Sequence, residues 1–549
     1  VLWIANGGED TLSKVDSNQV NSTVPGKEVA RYRTWFDGTA VHIGDAWGGA
    51  APSRTAVDKD GNAYVANRGF QNYGYPGWAY VFKVLNSGFI DRNGNGTADT
   101  STDTSGNGRI EPSEMKPLTD TNTNGVIEAS ELKDERVAWA VRVPDGVYKD
   151  ANGAVIPPRQ NSLARALCIG TDGNLWVGMY NGYEYWKISA VDGHTMAGPV
   201  RTNYPNYGCL IDQNGNLWGA SWQYGVLLRI ENTGSNTGPY PYSQIGIPSA
   251  AYGLALRRDQ ATNAVHVIMG GSCNSYVDYN VATNSWSQPA AVNYCSYAVG
   301  TDNDGNILVS KVGGGVAKCN PSGGVICDKG SQVGSADSRG VIADANNNIW
   351  QVHNGANAMS KFDGATGASM GVLPVGAQPY TYSDASGTAA LSVTTKTGSW
   401  AVVQDGGANG TPWTKVAWNG TVPTGAGLTT EVRTSDSSTG LLLQPFVPVA
   451  NGAALSGLAG RYMQVRVTFN ANTANQSPVL YDLSVTSGPT TCDVNNDGKV
   501  DKTDVNLIAA AIGQTPAAND PRDATGDGKI TINDVRACTL KCTNANCAP

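Results

Sequence analysis

Four stretches of the chain repeat one twelve-residue frame, with oxygen-bearing side chains at positions 1, 3, 5, 9 and 12 and glycine at position 6. The first offers Asp103, Ser105, Asn107, Glu111 and Glu114; the second offers Asp120, Asn122, Asn124, Glu128 and Glu131. The third offers Asp493, Asn495, Asp497, Asp501 and Asp504; the fourth offers Asp523, Thr525, Asp527, Thr531 and Asp534. Position 7 lends its main-chain carbonyl, from Arg109, Val126, Lys499 and Lys529 in turn. Calcium is a hard cation that takes about six to eight oxygens, and the glycine permits the sharp turn that wraps the chain around it. The spacing therefore predicts four Ca2+ sites. A fifth, weaker frame, Asp91-x-Asn93-x-Asn95-Gly96-x-x-Asp99, ends in Thr102 instead of an acid.

These loops need elements to anchor them. Residues 505–512 form an apolar run after the third frame, and a second short helix is predicted after the fourth, ending near Cys538. Loop–helix, linker, loop–helix with Asp at position 12 resembles the type I dockerin module, over residues 489–549. The cysteines Cys492, Cys538, Cys542 and Cys547 depart from that pattern and read as a staple or cap. A module of this size has little core, so calcium would supply much of its folding energy. The first two frames lie in an insertion, 86–134, with few residues ahead of them to form a helix. They read as EF-hand-like loops and not as full paired hands.

The insertion interrupts a repeat. The phrase is a turn of Asp, Asn and Gly, then an apolar pair, then a strand. It recurs at Asp60-Gly61-Asn62-Ala63-Tyr64, Asp172-Gly173-Asn174-Leu175-Trp176, Asn214-Gly215-Asn216-Leu217-Trp218, Asp304-Gly305-Asn306-Ile307-Leu308 and Asn346-Asn347-Asn348-Ile349-Trp350. Thr262-Asn263-Ala264-Val265-His266 is a weaker copy, and Val1-Leu2-Trp3-Ile4 a seventh without its turn. From position 176 onward the spacings are 42, 48, 42 and 42 residues. Asp-Gly and Asn-Gly supply the positive φ of hairpin turns, and this period fits one four-stranded β-propeller blade per repeat. Seven copies predict a mainly β fold with a seven-bladed propeller over residues 1–375, closed when the Val1 run completes the blade begun by the last repeat. The phrase resembles the NHL-like and virginiamycin B lyase-like (streptogramin lyase) propellers, best at 172–193. That resemblance implies the fold; its lyase members imply a histidine acting with acidic neighbours and a divalent metal.

Residues 376–488 lack the phrase and alternate apolar with polar residues, as at 462–469 and 479–485, which predicts a β-sandwich. Trp400, Trp413 and Trp418 are its candidate sugar-stacking residues, with core packing the favoured use. In the propeller, Tyr-rich loops at 72–78, 180–186 and 204–207 suit contact with sugar or protein, or blade packing.

Composition narrows the function. The 549 residues carry a net charge of −8, with 15% charged residues and 40% hydrophobic residues. No basic cluster points to nucleic acid, and no apolar stretch is long enough to span a membrane. The four frames hold 13 of the 46 acids, so the acidity reads as cation ligation. The chain starts at Val1 inside a strand-like run, which reads as a removed signal peptide or a trimmed end. Ten cysteines without a CxxC or Cys-His zinc pattern predict disulfides in a secreted protein, extracellular or at the cell surface. Spacing leaves connectivity open; proximity points to Cys168 with Cys209, Cys273 with Cys295 and Cys319 with Cys327. Sequons at Asn21, Asn95, Asn409, Asn419 and Asn475 permit glycosylation.

Four histidines bound the catalytic options. His266 takes the place of the repeat's Trp or Leu and reads as a blade residue, and His194 as a solvated turn residue. His42 and His353 lack a recognisable catalytic neighbourhood, and no nucleophile elbow, HExxH or P-loop is present. Catalytic residues are therefore unassigned. The favoured reading is a non-catalytic extracellular binding, adhesion or assembly component of a matrix, surface layer or filament. Its partners would be an extracellular protein or glycan, or a second copy meeting the sandwich or the tail. The alternative is a secreted lyase or glycan-active enzyme with its site in the propeller funnel.

Overall fold

The computed structural model describes residues 1–549 except 38–43, 150–152, 223, 236, 249–251, 260–261, 263, 272–275, 289–294, 335–336, 382–396, 473–475, 489–490, 496–498, 518–519 and 549. The chain is mainly β and divides into two compact units, Val1–Thr394 and Thr395–Pro549.

In the first unit a series of small antiparallel sheets follows in chain order, each built from consecutive strands. Each inner strand leads its sheet: Pro52–Val57, Ala164–Ile169, Gly208–Ile211, Leu254–Arg258, Ser296–Thr301 and Ser338–Ala343. Neighbouring inner strands touch around a ring, and Leu2–Asn6 touches Pro52–Val57. This is a β-propeller. The sheet of Leu2–Asn6, Thr11–Asp16 and Lys27–Arg33 has three named strands. The far end of the unit supplies its inner edge: the Tyr380 amide donates to the Ala5 carbonyl at 2.8 Å, and Gly8 donates to Ala377 at 3.0 Å. Closure by pairing removes an exposed strand edge. Propeller hydrogen bonding thus runs beyond residue 375, to Thr381.

The repeat phrase works as a turn lock. Asp212 accepts from the Asn216 amide at 3.0 Å and from the Trp218 indole at 2.9 Å. Asp344 does the same for Asn348 and Trp350 at 2.9 and 3.1 Å, and Asp58 for Asn62 and the Tyr64 hydroxyl at 2.9 and 3.2 Å. A cation on the next strand covers the ring: Lys187 over Trp176, Arg229 over Trp218 and Lys361 over Trp350. His266 lies on the strand Val265–Gly270, a blade residue, and its ring pairs instead with Asp278 at 2.6 Å.

The insertion leaves between the strands Tyr80–Val84 and Val137–Arg142. Ile110, Leu118, Ile127 and Leu132 are buried, and the last three join the core of Trp3, Trp35, Tyr80 and Phe82. The segment is docked by its own apolar side chains.

In the second unit, Thr397–Asp405, Tyr462–Asn470, Gly427–Ser435 and Val447–Val449 pair in that order, and Trp413–Thr421 pairs with Val479–Ser487. Trp413 and Val416 share one core with Val432, Met463, Val465 and Val467. Trp413 is buried, Trp418 half-buried and Trp400 exposed. Two helices follow, α1 (Lys502–Ala510) and α2 (Ile532–Thr539).

Disulfides join Cys168 to Cys209, Cys492 to Cys538, and Cys542 to Cys547. Cys295 is also disulfide-bonded, while Cys273 lies outside the described residues. The expected pairing of Cys319 with Cys327 is overturned: both are buried free thiols. Lys318 sits opposite Cys327, and successive side chains on a strand alternate faces. Cys319 therefore points the other way, into the core of Ile268, Tyr276 and Val309. Burial raises its thiol to about 11.

Candidate functional site

At one end of the ring, the inner strands start with Arg or Tyr. Arg54, Arg165, Tyr297 and Arg339 lie within the first three residues of their strands. Tyr207 and Tyr252 stand just before theirs, and Tyr380 lies on the closing segment. All but Tyr297 are buried. Their side chains meet across the axis. Arg165 Nη1 donates to the Tyr207 hydroxyl at 2.8 Å, which donates to the Tyr252 hydroxyl at 2.9 Å. The Tyr252 and Tyr380 hydroxyls are 3.1 Å apart, and Arg339 Nη1 donates to Tyr252 at 3.3 Å. The Arg68 guanidinium lies 4.4 Å from the Tyr380 ring centre, and that of Arg339 5.1 Å. Burial alone would raise the Tyr380 hydroxyl, but Arg165, Arg339 and Arg68 with the Tyr252 hydrogen bond bring it down to about 7. Arg339 also pairs with Asp337 at 2.5 Å.

Aromatic side chains continue from this floor to the surface. Trp47 lies 5.5 Å from Tyr380 and beneath it meets Arg68 at 5.3 Å and Arg165 at 5.4 Å. Trp47 is 45% exposed, Tyr73 48%, Tyr183 39% and Tyr224 48%. Tyr180 and Trp222 bridge rim and floor through Tyr207, at 5.7 and 5.3 Å. The sequence singled out the Tyr-rich loops but not this cluster. A signal was present: Tyr207, Tyr297 and Arg339 each precede the first Asp of their turn, Asp212, Asp302 and Asp344, by five positions.

Among the described residues the histidines do not gather here. His42 lies outside them. His194 is exposed beside Asp192. His353 is buried between the hydroxyls of Ser338 and Ser360, each at 2.7 Å, and burial lowers it to about 4.

The four twelve-residue frames share one geometry at positions 9 and 12, and three of them share it at positions 1 and 6. The position-1 carboxylate accepts from the position-6 glycine amide: Asp103 from Gly108 at 2.7 Å, Asp120 from Gly125 at 2.8 Å and Asp523 from Gly528 at 2.9 Å. Asp497 lies outside the described residues, as does the glycine of its frame. The position-12 acid accepts from the position-9 amide: Glu114 from Glu111 at 2.8 Å, Glu131 from Glu128 at 3.1 Å, Asp504 from Asp501 at 3.0 Å and Asp534 from Thr531 at 2.7 Å. Positions 9 and 12 therefore form a capping box, over short 3-10 turns in the insertion and over α1 and α2 in the tail. The side chain at position 8 is buried each time: Ile110, Ile127, Val500 and Ile530. Among the described residues no three His, Cys, Asp or Glu side chains converge. Each frame joins its acids to amide or hydroxyl oxygens (Ser105, Asn107, Asn122, Asn124, Asn495, Thr525) and the carbonyls of Arg109, Val126, Lys499 or Lys529. That donor set suits calcium and not a softer metal. In the fifth frame Asp99 is already met by the Lys116 ammonium at 3.1 Å.

No protein-family model matches the chain, and no curated protein matches it. Solved structures do. Virginiamycin B lyase from Staphylococcus aureus is 11% identical, with TM-score 0.38, covering 59% of this chain and 85% of the lyase. A streptogramin B lyase structure is 15% identical, with TM-score 0.34, over 56% and 91%. The β-propeller domain of Myceliophteria thermophila Cps50 (Swd1) is 11% identical, with TM-score 0.37, over 59% and 86%. The propeller reading rests on the order of the sheets themselves.

Proposed function

We propose that the chain is a secreted, calcium-binding, seven-bladed β-propeller protein that acts as an extracellular binding, adhesion or assembly component. A β-sandwich and a dockerin-like calcium module would follow the propeller. The observation that carries this reading is the loop geometry common to the frames. The position-12 acid in all four frames, and the position-1 acid in three, accept from main-chain amides of their own loop, which gathers the carboxylates a cation would need. Ca2+ would be held by Asp103, Ser105, Asn107, Arg109 and Glu114 and by Asp120, Asn122, Asn124, Val126 and Glu131, with Glu111 and Glu128 at position 9. In the tail the holders would be Asp493, Asn495, Asp497, Lys499, Asp501 and Asp504, then Asp523, Thr525, Asp527, Lys529, Thr531 and Asp534. The cation would supply charge neutralisation and cross-linking of each loop. Disulfides support an exported setting, and no helix among the described residues is long and apolar enough to cross a membrane. Thermal melting with calcium and with chelator tests the reading; identical curves, with no calcium bound at equilibrium dialysis, would sink it.

A second reading, a secreted lyase or glycan-active enzyme, has one observation in its favour. The lowered Tyr380 hydroxyl lies in the range that suits a general base. Loss of turnover in Tyr380→Phe, on a glycan substrate found by screening, would support it.

A further inference from the structure

We propose that the Arg–Tyr end of the propeller axis, beneath Trp47, binds the acid group of an anionic glycan. The inference deepens the extracellular-binding reading and rests on it. Arg68 and Arg339 lie against the Tyr380 ring and Arg165 against the Tyr207 ring, so three guanidiniums meet at this floor. Arg68 is fixed by the Ala51 and Ala46 carbonyls and lends its charge. The planar forks of Arg165 and Arg339 match carboxylate and sulfate oxygens, and the Tyr207 and Tyr252 hydroxyls, bonded to each other, can turn to donate. A neutral ligand would gain little from this floor.

The rim selects the rest of the ligand. Trp47, Tyr73, Tyr183 and Tyr224 present exposed rings around the same end, and flat apolar rings with polar tips stack on sugar faces. An acid group below and stacking rings above describe an acidic sugar, a uronate or a sulfated residue. Trp47 is the cover. It touches both Arg68 and Arg165, and its segment runs between Gly44 and Gly49, both at positive φ. Glycine there allows the backbone rotation that would swing the indole off the guanidiniums. Asp45, which accepts from the Tyr73 hydroxyl at 2.7 Å, holds the segment shut.

The test is calorimetric titration of the full, calcium-loaded chain with oligogalacturonate, with a heparin-derived oligosaccharide and with neutral maltohexaose. Binding of either acidic probe, with maltohexaose weaker by about tenfold or more, supports the proposal; which acidic probe binds names the group. Binding should quench or shift tryptophan fluorescence, and Trp47→Phe should abolish that change. Arg165→Gln and Arg339→Gln should each weaken binding by about tenfold or more. Should those variants melt early, Tyr183→Ala, on an exposed rim ring, decides: weakened binding supports the proposal and unchanged binding overturns it. Equal affinity for maltohexaose, or no binding of either acidic probe, overturns it. If calcium still raises the melting temperature in that last case, only this inference fails.

Discussion

The hydroxyls of Tyr252 and Tyr380 lie 3.1 Å apart although 128 residues separate them in the chain. Both rings are buried, yet guanidiniums bring the Tyr380 hydroxyl down to about 7. A folded value below the unfolded value of about 10 means the ionised ring stabilises the fold at alkaline pH. That contribution is lost as pH falls through about 7.

The prediction is a tyrosinate transition near neutral pH in near-ultraviolet difference absorbance, absent in Tyr380→Phe. The new anion neutralises the guanidiniums, so affinity for an acidic ligand should fall as pH rises through the same transition. A titration showing tyrosine ionising only in the ordinary range would remove the basis for both statements.

Calcium should act locally as well as globally. Glu131 is buried, and it accepts from the Thr121 amide at 2.7 Å and from the Glu128 amide at 3.1 Å. Glu131→Gln keeps the size but removes a charge-assisted acceptor and a cation ligand. We expect about 2 kcal/mol lost without calcium, and a further loss in its presence. A site filled at about 100 times its dissociation constant contributes about 2.7 kcal/mol. Denaturant unfolding of both proteins, with calcium and with chelator, separates the two terms. Equal losses in both conditions would mean that Glu131 does not serve a cation.

The blades were legible because their signal is local. A turn of Asp, Asn and Gly with a following Trp reports its own hydrogen bonds, as Asp212 and Trp218 do. The turns of the loop frames, with their capping boxes, are local in the same way. The Arg–Tyr cluster was not, because Arg165, Tyr207, Tyr252 and Tyr380 become neighbours only when the ring closes. The free thiols of Cys319 and Cys327 teach a related lesson. Nearness in sequence predicted a bond, but the pleat turns the two side chains to opposite faces.

Asp212 is almost wholly buried and accepts from the amides of Asn214 and Asn216 and from the Trp218 indole. Asp212→Ala strands several donors at once, and a buried unmade hydrogen bond costs about 1–3 kcal/mol. The expected loss is about 3 kcal/mol. Trp218→Phe, which leaves the turn intact, should cost less than that. Denaturant midpoints would check the order; a smaller loss for Asp212→Ala than for Trp218→Phe would contradict the turn lock.

His353 provides a second pH test, with the opposite direction of charge. Both ring nitrogens meet serine hydroxyls at 2.7 Å, and burial lowers the imidazole from 6.5 to about 4. The unfolded chain takes up a proton near pH 6.5 and the folded chain only near 4, so stability falls as pH drops through this window. At about 1.4 kcal/mol per pH unit, the full loss is about 3 kcal/mol. His353→Gln cannot titrate and should lack this part of the acid sensitivity. The carboxylates are common to both proteins, so subtracting one stability–pH curve from the other isolates the histidine. The curves should diverge between pH 6.5 and 4, the variant losing less. Parallel curves would show that His353 carries the same proton affinity folded and unfolded, and that burial does not hold it neutral.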